Sequence, residues 1–286
     1  MSQRPVTELS SLLRISPDAT SATESLGALA QLLGTWVGSK GWNLIAVPSG
    51  PSGFRLIVRP YTETMVFTPV GALVPNRGGP VPDQMVPAIK YELTIADAET
   101  GDPMHMENGM WLVLEGGPKP RIARLGSIPH GDTILALGTA EEDAGPPTIG
   151  ALDPMPTTGP STPLGYTDAY LNIEVDGKPL GFQVADFNEP LREALAGQKV
   201  VSTTTLAVST SDGGSLSNTP FIQEHANATD LESVYWIEEV EDPTTGQTRL
   251  QLQYSQRLDL HFLPQFGNPV SLIICPHVST NTLTKQ

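Results

Sequence analysis

Hydrophobic positions recur along this chain with two periods, and the change between them falls at Gly34. Between Ala22 and Leu33 the residues Leu26, Leu29, Ala30, Leu32 and Leu33 return at helical spacing, and Gly34 supplies a stop. Ser21, with Glu24 three residues later, fits a capping box, so one short helix is predicted here. From Gly34 the texture is that of strands. The runs GTWVGSKGWNLIAVP, FRLIVRPYTETMVFTPV, AIKYELTIADAE, HMENGMWLVLE, PRIARLGSIPHG and DTILALGTAEE are mostly rich in Val, Ile, Thr and aromatic residues. Gly, Pro, Asp or Asn separates each from the next, the rhythm of a meander whose strands pair with their sequence neighbours.

The later chain keeps this texture with one interruption. Residues 145–163 are crowded with Pro, Gly and Thr and predict a surface loop. A hairpin turning at Asp176-Gly177 follows, then a short helix over EPLREALAG with Pro190 near its first turn and Gly197 after its end. Strands resume at KVVSTTTLAVST and continue to the C-terminus. Apolar residues alternate in Arg249–Tyr254 and Leu258–Phe262, so these strands should bury one face and wet the other, with Asp259 and His261 on the wet side. The prediction is an all-β, mainly antiparallel, single up-and-down barrel over residues 22–286. It has an N-terminal arm at 1–21, an N-terminal helix, one short inserted helix and an elaborating insertion at about 145–245.

Composition narrows the chemistry. With 286 residues, 39% hydrophobic and 16% charged, the chain has the apolar material for one elaborated domain with a packed core. Its 16 basic against 31 acidic residues give a net charge of -15, which disfavours nucleic acid and anionic membrane surfaces as partners. The single cysteine, Cys275, excludes an intramolecular disulfide and a thiolate cluster for zinc or iron-sulfur chemistry. The start shows no basic region leading into an apolar one, and no run is long and apolar enough for a spanning helix, so the chain reads as cytoplasmic. None of the five histidines sits in an HExxH pair, and GxSxG, GxxxxGK[ST] and a post-strand GxGxxG are all missing. Zinc-hydrolase, serine-hydrolase, P-loop and dinucleotide readings therefore lack their carriers.

Three stretches stand together. Gly34, Trp36, Gly38 and Gly41 open the first strand. His105, Glu107, Gly109 and Trp111 lie on a middle strand, followed by Pro129-His130-Gly131. His277, Thr282, Leu283 and Lys285 close the chain. This order resembles the nitrobindin family of haem-binding β-barrels, similar in shape to lipocalins and fatty-acid-binding proteins. The family carries G-x-W-x-G-x-G, H-x-E-x-G-[YF]-[WL], P-x-G and a terminal H-x-x-x-T-[LY]-x-[KR]. Here the last glycine is one position late, the aromatic after Gly109 is displaced, and the final threonine is one residue late. The likeness covers about 34–140 and 245–286.

The resemblance implies a lipocalin-like barrel that binds haem b, with His277 holding the iron. His130 is then the distal candidate for catalysis, and Trp36, His105 and Met110 are candidates to border the cofactor. The activity implied is the handling of nitric oxide, peroxynitrite or peroxide, with isomerase-like or peroxidase-like turnover left open. A neutral imidazole is a good ligand for haem iron, and a barrel of about eight to ten strands can enclose a large apolar group. Each residue also has a plain structural reading. His277 could be bonded to a backbone carbonyl, His130 could face solvent, and His105 could point either way. Met110, with Met65, Met85, Met104 and Met106, could fill gaps, and Trp36 could be ordinary core. Cys275, two residues before His277, should share its face, most simply as filler. The alternative function is a haem-free lipocalin-like carrier or a cofactor-independent enzyme for a hydrophobic small molecule, with the middle segment as a lid. Expected partners are a small apolar ligand or haem, with no nucleic acid and no membrane; a homodimer is left open.

Overall fold

A computed structural model describes residues 24–50, 53–76, 79–114, 121–163, 165–173 and 184–286. The 1–21 arm, the Ser21 cap and the hairpin expected at Asp176-Gly177 lie outside the described residues. The strands are β1 (Gly34–Pro48), β2 (Phe54–Pro69), β3 (Val74–Asn76), β4 (Gln84–Val86), β5 (Ala88–Asp97), β6 (Pro103–Leu114), β7 (Arg121–Ile128) and β8 (Asp132–Ala144). They continue with β9 (Lys199–Ser209), β10 (Ser215–Asn218), β11 (Asn227–Glu241), β12 (Thr248–Gln265) and β13 (Asn268–Lys285).

The main sheet runs β8-β7-β6-β5-β2-β1-β13-β12-β11-β9, and β9 returns to pair with β8, closing the predicted antiparallel barrel. Among the described residues this closure pairs every one of these ten wall strands on both sides. β3 and β4 form a side hairpin between β2 and β5. β10 takes over the place of β9 along β8: Leu137 is opposite Ser209, whereas Leu135 is opposite Ser215. The two ends of the barrel chain meet where β1 pairs with β13.

One end of the barrel is plugged by a 3-10 helix over Gly27–Leu32, which buries Leu29 and Leu32 against Trp36, Met65, Trp111 and Leu283. Among the described residues the expected helix is thus α-helical at Glu24 and a tighter 3-10 helix from Gly27. Gly27 has φ +53, a left-handed conformation that interrupts α-helical winding. The Trp36 indole N–H donates to the Leu32 carbonyl at 2.7 Å, tying the plug to the first strand.

The stretch expected as one elaboration at 145–245 divides in two. Residues 199–241 supply the wall strands β9 and β11, with β10 between them. The described residues before them, carrying α1 (Asp168–Leu171) and α2 (Glu189–Leu195), wrap the outside of the barrel. Tyr170 and Phe187 pack with Trp42, Leu44, Ile273, Cys275 and Val278, and Leu191 packs with Trp236. Thr157 and Ile274 exchange two backbone hydrogen bonds, at 2.9 and 2.7 Å, so the wrap is pinned to β13. This corrects the reading of β12 as wet on one face: Gln251 is 2% and Gln253 0% exposed, because the wrap covers the outward side. The Gln253 amide donates to Leu191 O at 3.0 Å and Thr282 Oγ1 at 2.8 Å. On unwrapped β5 the predicted alternation of buried and exposed residues survives from Ile89 to Thr94.

Candidate functional site

Strand alternation layers the barrel interior. Above the apolar plug, charged and aromatic residues point inward. On β6 the inward set includes Glu107 and Trp111, and on β7 it is Ile122, Arg124, Gly126 and Ile128. Arg124 and Glu107 form a fully buried ion pair at 2.8 Å. The guanidinium also donates to Ser233 Oγ at 3.0 Å, Gln256 Oε1 at 2.7 Å and Tyr91 Oη at 3.3 Å, while the Tyr91 hydroxyl donates to Glu107. Burial pushes the Glu107 pKa up, but the Arg124 charge and the bonds from His105 and Tyr91 outweigh it and hold the carboxyl at about 2. A second buried carboxyl, Glu63 on β2, accepts from Tyr254 Oη at 2.9 Å and Asn281 Nδ2 at 2.8 Å. Among the described residues no cation pairs with it, and burial raises its pKa to about 7.

This polar layer is the floor of a cavity of about 380 Å³, within the range of small-ligand sites, roughly 300–1,000 Å³. Its walls are mostly aliphatic, including Ile45, Ile57, Ile95, Ile128, Leu258 and Leu260. Three of the five histidines converge on it: His105, His130 and His277. The His105 and His130 rings lie 5.2 Å apart, and His105 Nε2 is 3.8 Å from Glu107 Oε2. His277 Nε2 meets Asn43 Oδ1 at 2.6 Å, and Ser279 Oγ donates to the same oxygen at 2.9 Å. Burial, with His105 and His130 nearby, lowers the His277 pKa to about 3, so its ring is neutral at physiological pH. The His130 pKa is lowered by the same two causes, partial burial and His105.

The rim is set by α3 (Pro220–His225), which follows β10 and brings Ile222 and Ala226 to the cavity. Gly131 makes this approach close. It holds φ +115, and a Cβ there would sit 2.5 Å from Thr219 Oγ1 and 2.9 Å from Ile222. At the opposite side, the register shift between Gly38 and Gly41 absorbs the extra residue that delayed the last glycine of the motif. Gly41 lies under the Tyr61 ring, whose atoms would be only 2.3–2.6 Å from a Cβ.

Of the residues singled out from sequence, His277, His105 and His130 border the cavity, His130 at the exposed rim. Trp36 and Met110 do not. Trp36 lies in the plug core, with the Lys285 ammonium 5.1 Å from its ring centroid. Met110 alternates out of phase with Glu107 and Trp111, which puts it on the outer face at 40% exposure. Cys275 packs in the outer cluster under the wrap rather than beside His277 in the cavity. His225 is exposed and stacks on Phe221, and His261 is half-buried with Thr229 Oγ1 at 3.1 Å.

Sequence reasoning missed Asn43, Glu63, Arg124, Asp132 and the tyrosines of the floor. A signal existed for two of them: Glu63 lies in the apolar series with Tyr61, Met65 and Phe67, and Arg124 with Ile122 and Ile128. A charge on an otherwise apolar strand face is a buried, partnered charge.

Among the described residues no helix is long and apolar enough to cross a membrane. No curated protein sequence matches the chain. Among solved structures, the crystal structure of Rv2717c from M. tuberculosis is similar at 19% identity over 91% of this chain and 96% of that one, with a TM-score of 0.47. Residues 25–149, from the plug through β8, match the family described as the THAP4-like, heme-binding beta-barrel domain, which bears out the nitrobindin-like resemblance over that stretch.

Proposed function

We propose that this barrel binds haem in the cavity, with His277 as the iron ligand. The observation that carries this reading is a neutral imidazole on an aliphatic cavity wall above a floor that supplies no second metal-ligating cluster. Among the described residues no group of three or more His, Cys, Asp or Glu side chains could hold a bare ion, so an iron held by His277 would need a group such as a porphyrin to supply its other ligands. The match of residues 25–149 to a haem-binding barrel family supports the same ligand, although β13 and His277 lie beyond the matched stretch.

When bound, the haem would supply iron-centred binding of a small gas or oxidant, the class that includes nitric oxide, peroxynitrite and peroxide. The chain's own residues define the rest. His277 presents a ring that protons do not compete for. The aliphatic walls exclude water. His130 and His105 stand together at the rim, where an imidazole can donate or accept a hydrogen bond from a small polar ligand.

Titration of haemin into the purified protein should give a saturable Soret band, and His277→Ala should abolish the tight component. Full absorbance in that variant would remove His277 from the role. Asn43 modulates the site: its carbonyl oxygen holds the His277 tautomer that carries hydrogen on Nε2, and coordination through that nitrogen requires the hydrogen to move. Asn43→Ala removes a bond worth about 1 kcal/mol and is expected to tighten haem binding roughly fivefold in the same titration. The Asn43 bond also favours a second reading, a carrier of a metal-free apolar molecule in which His277 is simply a satisfied polar group. A protein that stays colourless with haemin yet binds a fatty acid or terpenoid would establish it.

A further inference from the structure

We propose that Tyr254 is a redox-active residue that gives one electron to an oxidant reduced in the cavity and passes its phenolic proton to Glu63. The proposal rests on the haem reading above and adds an electron donor to it.

Of the six tyrosines in the chain, Tyr61, Tyr91, Tyr235 and Tyr254 are buried in the floor, and Tyr61, Tyr235 and Tyr254 line the cavity itself. Phenylalanine would seal an apolar cavity without hydroxyls that must each find a partner. The partners here form a connected chain. Tyr254 Oη donates to Glu63 Oε2 at 2.9 Å and lies 2.6 Å from Tyr61 Oη, which also reaches the Thr280 carbonyl at 3.1 Å. Gly41 makes room for the Tyr61 ring, so this contact is built into the first strand.

A buried phenol cannot lose an electron and keep its proton, because the oxidised phenol is a strong acid. It therefore needs a base already in hydrogen-bond contact, and Tyr254 has a carboxylate there. Glu63 titrates near neutrality, so it can take the proton and later return it. Behind Tyr254 the aromatic rings continue. Tyr235, also on the cavity, stacks on it with centroids 5.4 Å apart, and Trp111 of the plug-side core meets Tyr235 edge-on at 5.3 Å, a line of rings along which an oxidising equivalent could pass toward the plug.

For hydrogen peroxide as the oxidant, cleavage of the O–O bond to two waters takes two electrons and two solvent protons; Tyr254 would give one electron, and a bound ferrous haem would supply the other. Tyr254 becomes the neutral phenoxyl radical and the Glu63 carboxylate becomes the carboxylic acid.

The test uses the full chain loaded with haemin, reduced, freed of reductant and mixed with one equivalent of hydrogen peroxide under anaerobic conditions, then freeze-quenched for electron paramagnetic resonance. A radical signal that narrows when the protein carries ring-deuterated tyrosine is expected. Tyr254→Phe should lose it while keeping the Soret band, and Glu63→Gln should slow its formation about a hundredfold by removing the proton acceptor. A tyrosyl signal of undiminished yield in Tyr254→Phe, or none in the wild type, overturns the proposal. A Soret band with no tyrosyl signal leaves haem binding intact and sinks only the donor role, whereas absence of the Soret band in the wild type sinks both.

Discussion

Arg124→Met is expected to lower the unfolding free energy by about 3–5 kcal/mol, as measured by urea denaturation at pH 7, because it leaves the Glu107 carboxylate buried without a counter-charge. Arg124 is 1% exposed, and besides Glu107 it serves Ser233, Gln256 and Tyr91, so a single substitution orphans acceptors on β5, β6, β11 and β12 together. The size of the effect follows from the asymmetry of buried pairs: the intact pair contributes little net, but half a pair is costly. Arg124→Met combined with Glu107→Leu should therefore recover much of the loss, since both charges are then gone. A double variant no more stable than the single one would show that the remaining hydroxyl and amide partners dominate.

Glu238→Gln is expected to make the protein more stable at pH 8, by about 2–4 kcal/mol, with little change at pH 5. Glu238 on β11 is 0% exposed. Among the described residues it receives one bond, from Gln251 Nε2 at 2.9 Å, and its other oxygen has no hydrogen-bond partner. Burial raises its pKa to about 8, against the opposing pull of Gln251 and Arg249. Between the ordinary carboxyl range and pH 8 the folded chain thus holds a proton that the unfolded chain has released. Stability falls as pH rises through that window and levels off above it. Glu63 adds a slope of the same sign that ends near pH 7. His277 acts in the reverse sense: its lowered pKa costs stability as pH falls from about 6.5 toward 3. Subtracting the variant curve from the wild-type curve isolates Glu238, and parallel curves from pH 5 to 8 would show that its proton is not the cause.

Local patterns carried the barrel into view and then reached their limit. The strand runs from Gly34 to Ala144 and from Lys199 onward were legible because one buried face leaves a period of two. The same rule should have placed Met110 outside, opposite in phase to Glu107 and Trp111. A motif match, which reads residues without their phase, put it at the cofactor. His277, His105 and His130 were visible as a set only through their order along the chain, since no local spacing brings β6, the β7–β8 turn and β13 to one cavity. Asn43, Tyr61 and Tyr254 were opaque for the same reason: each is ordinary on its own strand, and its role arises from a neighbour more than two hundred residues away or on another wall. The wrap hid itself differently. Gln251 and Gln253 read as wet because glutamine is usually exposed, and nothing along β12 announces that α2 will cover them.

The one-sided coat has a consequence for how this chain can change over generations. Outward positions on β5 to β7 answer only to water and to solubility, so they are free to exchange one polar residue for another. From Gln251 to Ser255 on β12, and from Val278 to Asn281 on β13, every side chain is enclosed, and each replacement must satisfy two interiors at once. Variation among descendants should therefore accumulate on one flank of the cylinder and stall on the other. A copy that shed the coat would have to repaint the bared flank before it could remain dispersed in water.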